Sequence, residues 1–268
     1  MSEAPRGRVL IIAGSDSGGG AGIQADIKAV SAMGGFAMTA VTAITVQNTL
    51  GVTGIHPIPE NTVADQMRAV LSDLGADAIK TGMLATASLI ETVADVLEAE
   101  APDVPLVLDP VMVATSGDAL VDSTAAEAIK SRLLRRAALV TPNIPEAERL
   151  TGLTITDLDT QIAAAEALVE AGARAALVKG GHMSGDVLRD VLVSPRGLQI
   201  FEHERLDTAH THGTGCTLAS AISSLIAQGH ALPEAVRRAG DYLHNAIRHA
   251  PGFGAGHGPV DHFWMLRD

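Results

Sequence analysis

The chain has 268 residues, 47% of them hydrophobic, enough to bury a sizeable core in one large or two small domains. Its 31 acidic residues against 19 basic give a net charge of −12, which excludes a broad nucleic-acid footprint, since that needs clustered lysine and arginine. A single cysteine excludes an intrachain disulfide framework and a cysteine-based structural zinc site, and no apolar run approaches the length of a membrane span.

Apolar runs at 8–13, 37–46, 77–80, 105–108, 137–140 and 174–178 are rich in Val, Ile, Leu and Ala. They show little polar alternation, as expected of strands buried on both faces of a mostly parallel sheet. Helical patterns lie at 21–33, 60–74, 86–100, 122–134, 144–151, 157–171, 214–228 and 232–249. The alternation predicts an α/β fold with right-handed crossovers. Residues 187–205 break it: two short strand patterns flank Ser194-Pro195-Arg196-Gly197, a hairpin signal expected at the sheet edge. No linker, charge block or repeat divides the chain, so a single domain over 1–268 is expected. The run Val9-Leu10-Ile11-Ile12-Ala13 is too short for a secretion signal and leads straight into a glycine loop, which predicts a cytoplasmic protein.

Polar residues stand just after the strand runs: Gly14 and Asp16, Gln47, Lys80 and Thr81, Asp109, Asn143, and Lys179. Parallel sheets bind ligands outside the carboxyl ends of their strands, so these distant residues are expected to face one crevice. The first glycine loop, 14–22, formally fits the loose dinucleotide fingerprint through Gly20, Gly22 and Ala25. That fingerprint wants an acid at the end of the second strand, and the run 37–47 has none. No Gly-Lys pair exists, so there is no Walker P-loop. The loop is either a tight strand–helix turn or a ligand contact; its surplus of glycine favours contact.

Two of the four lysines, Lys80 and Lys179, end apolar runs. Either could snorkel into water, but Lys179 is followed by Gly180 and Gly181 and reads as a phosphate contact. Asp109 and Glu146 are each a helix cap, a first-turn carboxylate or a Mg²⁺ ligand. Among the ten histidines, His182, His210 and His212 sit in loops near the crevice, with no HExxH spacing.

The run Thr211-His212-Gly213-Thr214-Gly215-Cys216 enters a strong helix whose apolar face is Leu218, Ala221, Ile222, Leu225 and Ile226. A glycine loop at a helix start aims unpaired N–H groups and the positive dipole end at one spot, an anion site. Cys216 lies in it. The sulfur is a buried bystander, or, with its pKa lowered by the helix end, a nucleophile or general base. His210 or His212 could serve a cysteine hydrolase.

Taken together, these motifs resemble the ribokinase-like superfamily, most closely the hydroxymethylpyrimidine/phosphomethylpyrimidine kinases of thiamine synthesis. The resemblance runs over about residues 8–263. It is carried by Ala13-Gly14-Ser15-Asp16 through Asp26, Thr42 through Thr49 around Gln47, Lys80-Thr81-Gly82-Met83-Leu84, Asp109-Pro110-Val111-Met112-Val113, Thr141-Pro142-Asn143, Val178-Lys179-Gly180-Gly181-His182, and 211–218. Sugar kinases of the superfamily carry aspartate where Cys216 stands.

The resemblance implies a three-layer fold without a separate lid domain, ATP and Mg²⁺ as cosubstrates, a homodimer, and no nucleic-acid or membrane partner. It implies that Gln47 reads the pyrimidine edge, with Gly14, Asp26, Met83 and Val111 lining that pocket. Asp109 and Glu146 fall to the metal region. Asn143, Lys179, Thr211 and His212 fall to the ATP phosphates. Gly213, Thr214 and Gly215 form the anion hole, with Cys216 as the base of the first of two phosphorylations. Two positions depart from the family: Ser17-Gly18 stands where Pro-Ser is usual, and Thr115 where lysine is common. Competing readings are a pyridoxal or pyridoxine kinase, a pyrimidine-binding regulatory module without catalysis, and a cysteine hydrolase.

Overall fold

A computed structural model describes residues 7–112, 123–181, 183 and 185–267. His182 and Thr115 lie outside the described residues. Among the described residues nine strands form one sheet. Strand β1 (Arg8–Asp16) lies between β2 (Phe36–Asn48) and β4 (Ala78–Thr81). Beyond β4 follow β5 (Leu106–Leu108), β6 (Ala137–Val140) and β7 (Ala176–Val178), all parallel. Antiparallel strands close both edges: β3 (Gly51–Pro57) beside β2, and the hairpin β8 (Val187–Ser194) and β9 (Gly197–Glu204) beside β7. The hairpin lies where its Pro-Gly turn predicts. Strand β3 was not expected.

Successive strand residues face opposite sides, and here both sides are buried. Leu10, Ile12, Ile79, Leu106 and Leu108 enter one core, with Val63 and Met67 of α2 (Glu60–Asp73) and Ile90 and Leu97 of α3 (Ala87–Glu100). Their neighbours Val107, Leu139 and Leu177 enter the other. That core holds Ala29 of α1 (Gly22–Ala32) and the helices α7 (Thr214–Ala227) and α8 (Leu232–Arg248), which contribute Leu218, Ile222 and Ala239. Between α3 and α7 run α4 (Ser123–Ala128), α5 (Ile144–Thr151) and α6 (Leu158–Glu170). The helix expected over 122–134 is shorter: α4 widens into a π turn at Ile129–Leu133 and tightens to a 3₁₀ turn at Leu134–Arg136. No helix among the described residues is long and apolar enough to cross a membrane.

Candidate active site

The carboxyl ends of the parallel strands open onto a cavity of about 750 Å³. Gly14 and Gln47 line it from the carboxyl-terminal parts of β1 and β2, and Met83 and Val111 from the loops after β4 and β5. Asp109, Asn143 and Lys179 line it from just beyond β5, β6 and β7, and Glu146 from the first turn of α5. Thr211, His212 and Gly213 to Cys216 complete the wall. The register of β1 on β2 slips between Ala13 and Ser15, at Gly14. A Cβ at Gly14 would lie 2.6 Å from Met83 Cε, so the bare glycine makes room for that side chain.

Asp26 is corrected by the geometry. It is fully buried beneath the cavity and does not line it. On α1 it turns to the sheet and meets Lys80, whose place in β4 points it away from Ile79 and toward α1 and α7. Lys80 Nζ donates to Asp26 Oδ1 at 2.9 Å, Ser220 Oγ of α7 donates to the same oxygen at 2.6 Å, and Asp109 Oδ2 lies 3.8 Å from Nζ. Lys80 therefore does not snorkel. Burial alone would lower its pKa, but Asp26, Cys216 and Asp109 outweigh burial and hold it above the usual lysine value.

Asn143 and Glu146 are a capping box at the start of α5. Asn143 Oδ1 accepts from Glu146 N at 2.9 Å, and Glu146 Oε2 accepts from Asn143 N at 2.8 Å. The cap and the site are thus the same residues. Burial pushes the Glu146 carboxyl up to about 7; Asp109 adds to this and Lys179 opposes it. Lys179 Nζ sits 3.5 Å from Asp109 Oδ1. Burial would lower the Lys179 pKa, yet Asp109 and Glu146 hold it raised. An ideal Cβ on Gly215 would be 3.3 Å from Lys179 Nζ and 4.0 Å from Asp109 Oδ2, so the ammonium faces the first turn of α7 directly.

The loop before α7 has the anion-binding form. Gly213 is the N-cap of α7 with φ +77°, and no side chain caps the helix. Thr217 Oγ1 donates to Gly213 O at 2.8 Å, while His262 Nε2 stands 3.0 Å from the same hydroxyl and braces the loop from behind. The sulfur of Cys216 departs from expectation. Burial pushes the thiol up to about 12, with Asp26 and Asp109 adding, against Lys80 and the Gly22 N–H. The helix end is outweighed by desolvation and two carboxylates. His212 turns toward the first glycine loop: its Nε2 lies 2.9 Å from Asp16 Oδ2 and 3.4 Å from the Gln47 amide.

The cavity continues past Lys179 along a wall that sequence reasoning missed: Leu188, His203, Leu206, Leu243, His244 and Ile247. The imidazoles of His203 and His244 stack there at 5.5 Å. No motif joins them, because β9 and α8 meet only through the sheet edge. Among the described residues no three His, Cys, Asp or Glu side chains form a metal cluster.

Against this geometry the comparisons are consistent. A model of phosphomethylpyrimidine kinase matches residues 16–261. A hydroxymethylpyrimidine/phosphomethylpyrimidine kinase of Streptomyces coelicolor is 48% identical over 258 residues, 96% of this chain and 95% of that protein. A thiamine biosynthesis bifunctional protein of Geobacter sulfurreducens is 50% identical over 264 residues; the chain covers 98% of itself in that match and about half, 54%, of that longer protein. The crystal structure of an ADP complex of Bacillus subtilis pyridoxal kinase is similar with a TM-score of 0.91 and 32% identity, covering 98% of this chain and 100% of that one. The fold is thus that of the ribokinase-like kinases, and the chain belongs to the phosphomethylpyrimidine kinase family.

Proposed function

We propose that this protein is a single-domain cytoplasmic kinase, working as a homodimer, that phosphorylates 4-amino-5-hydroxymethyl-2-methylpyrimidine with ATP, first to the monophosphate and then to the diphosphate used in thiamine diphosphate synthesis. The observation that carries the reading is convergence: a ring-reading amide (Gln47), a lysine–carboxylate pair (Lys179 and Asp109) and an anion loop (Gly213–Cys216) line one cavity.

Phosphoryl transfer asks the protein mainly for positioning and charge stabilisation. Lys179 and the N–H groups at the start of α7 hold the charge spread over the transferring group. Thr211 and Asn143 border that region. Asp109 Oδ2 is buried with no hydrogen-bond partner, and Glu146 shares the wall, so the donor set fits Mg²⁺ held by one or two carboxylates and completed by substrate phosphates. The ion supplies charge neutralisation for ATP in an acidic protein. Cys216 takes the hydroxymethyl proton in the first step. The second acceptor is already an anion and needs no base.

A pyridoxal-type acceptor is the second reading, favoured by the full-length likeness to a pyridoxal kinase. Side-by-side turnover of the hydroxymethylpyrimidine and pyridoxal with ATP and Mg²⁺, with mass detection of mono- and diphosphates, separates the two. Diphosphate from the pyrimidine supports the first reading. Monophosphate from pyridoxal alone replaces it. ATP consumption without any phosphorylated ring overturns both.

A further inference from the structure

We propose that Asp16 and His212 are positioning residues that lock the first glycine loop to the anion loop and so hold Gln47 in place against the phosphate loop. The inference rests on the kinase reading above.

Asp16 ends β1 and is 2% exposed. Its carboxylate collects four donors. Gly18 N gives to Oδ1 at 2.8 Å; Gly20 N and Ala21 N give to Oδ2 at 2.9 and 2.8 Å; His212 Nε2 reaches Oδ2 at 2.9 Å. Three of them wind the first glycine loop around the carboxylate. The fourth comes from a residue 196 positions away that directly precedes Gly213. The backbones also interlock: a Cβ on Gly213 would run into the carbonyl oxygen of Gly20, and a Cβ on Gly20 would lie 2.5 Å from His212 Cδ2. Burial alone would raise the Asp16 pKa, but the donors from His212, Ala21 and Gly18 prevail and lower it, so the group stands as a carboxylate.

A carboxylate only accepts, so the proton of His212 sits on Nε2. That proton assignment follows from the network. The Gln47 side chain reaches from Thr45, whose Oγ1 is 3.1 Å from Gln47 Oε1, to His212, whose Nε2 is 3.4 Å from Gln47 Nε2. Ser17 Oγ, next to Asp16, donates to Gln47 O at 3.0 Å. These contacts tie Gln47 both to the first glycine loop and to the residue that precedes Gly213, and so set its distance from the phosphate loop.

The test uses Asp16→Asn, His212→Phe and His212→Gln in the full chain. Asp16→Asn turns an amide N–H against the N–H groups of the loop. His212→Phe keeps bulk without a donor; His212→Gln keeps a donor near Nε2. The first two should raise the pyrimidine KM about tenfold or more and lower kcat, with the ATP KM changed less than about threefold. His212→Gln should recover most of the loss. Amide hydrogen exchange on the unliganded protein, which does not depend on which acceptor is turned over, should rise together at Gly18–Ala21 and Gly213–Cys216 in Asp16→Asn. The proposal is overturned if both KM values move in parallel, if His212→Phe matches wild type, or if faster exchange stays within the first loop. Wild type that phosphorylates no pyrimidine overturns the kinase reading instead, and the exchange result still decides the lock.

Discussion

Lys80 Nζ and Asp26 Oδ1 stand 2.9 Å apart with both side chains completely removed from solvent. Removing one partner leaves a buried charge unpaired. Lys80→Met should therefore lower unfolding free energy by about 3–5 kcal/mol. The double variant Lys80→Met/Asp26→Leu should regain most of that loss, because it removes both charges. Urea titration of the two variants checks this; equal destabilisation would show that the pair is not what the substitution breaks.

Cys216→Ala should slow the first phosphorylation by about a hundredfold or more, the usual contribution of a general base, and leave the second within a few-fold. The thiol is pushed up to about 12, so the thiolate fraction of wild type grows as pH rises through the neutral range. The first step should accordingly accelerate with pH from 7 to 9, and the second should not. Parallel pH profiles for the two steps would leave the sulfur with a positioning role only.

Gly213→Ala meets two obstacles: the φ of +77° and the carbonyl of Gly20. Strain of this kind costs about 1–3 kcal/mol per residue. The mechanism proposed above uses one anion loop for both phosphorylations, so kcat should fall in both, and ADP affinity, read by calorimetry, should fall with it. A loss confined to one step would separate the loop from the shared transfer.

His262 gives the protein an acid limit. Burial pushes its imidazole down to about 4, with Lys28 adding to the effect and Asp261 opposing. The folded state prefers the neutral ring, so this stability is present above the unfolded pKa of about 6.5 and disappears as pH falls through 4. The full contribution is about 3 kcal/mol. His262→Gln should flatten the decline of unfolding free energy between pH 6.5 and 4. Parallel decline in wild type and variant would assign the acid sensitivity elsewhere.

The sheet was legible because its parallel strands are buried on both faces and spell continuous apolar runs. Strand β3 was not: Gly51-Val52-Thr53-Gly54-Ile55-His56-Pro57 holds two glycines and a proline, is largely exposed, and owes its conformation to backbone pairing with β2. Gln47, Asp109, Asn143 and Lys179 were legible because strand ends in parallel sheets point to one crevice. Asp26 was misplaced because its partner on β4 is fixed by how α1 lies on the sheet. The thiol of Cys216 escaped for the same reason: a helix start is written locally, whereas Asp26, Asp109 and Lys80 arrive through the fold. His203 and His244 meet only where β9 packs on α8.

A cavity walled by Gly14, Gln47, Asp109, Lys179 and Cys216 gathers segments spread over two hundred residues. Whatever fills it fastens those segments to one another, a non-covalent cross-link across most of the chain. Occupancy and integrity are then one equilibrium: each tenfold rise in free ligand above its dissociation constant adds about 1.4 kcal/mol against unfolding. Ligand supply thus shifts the folding equilibrium of the protein as well as its turnover.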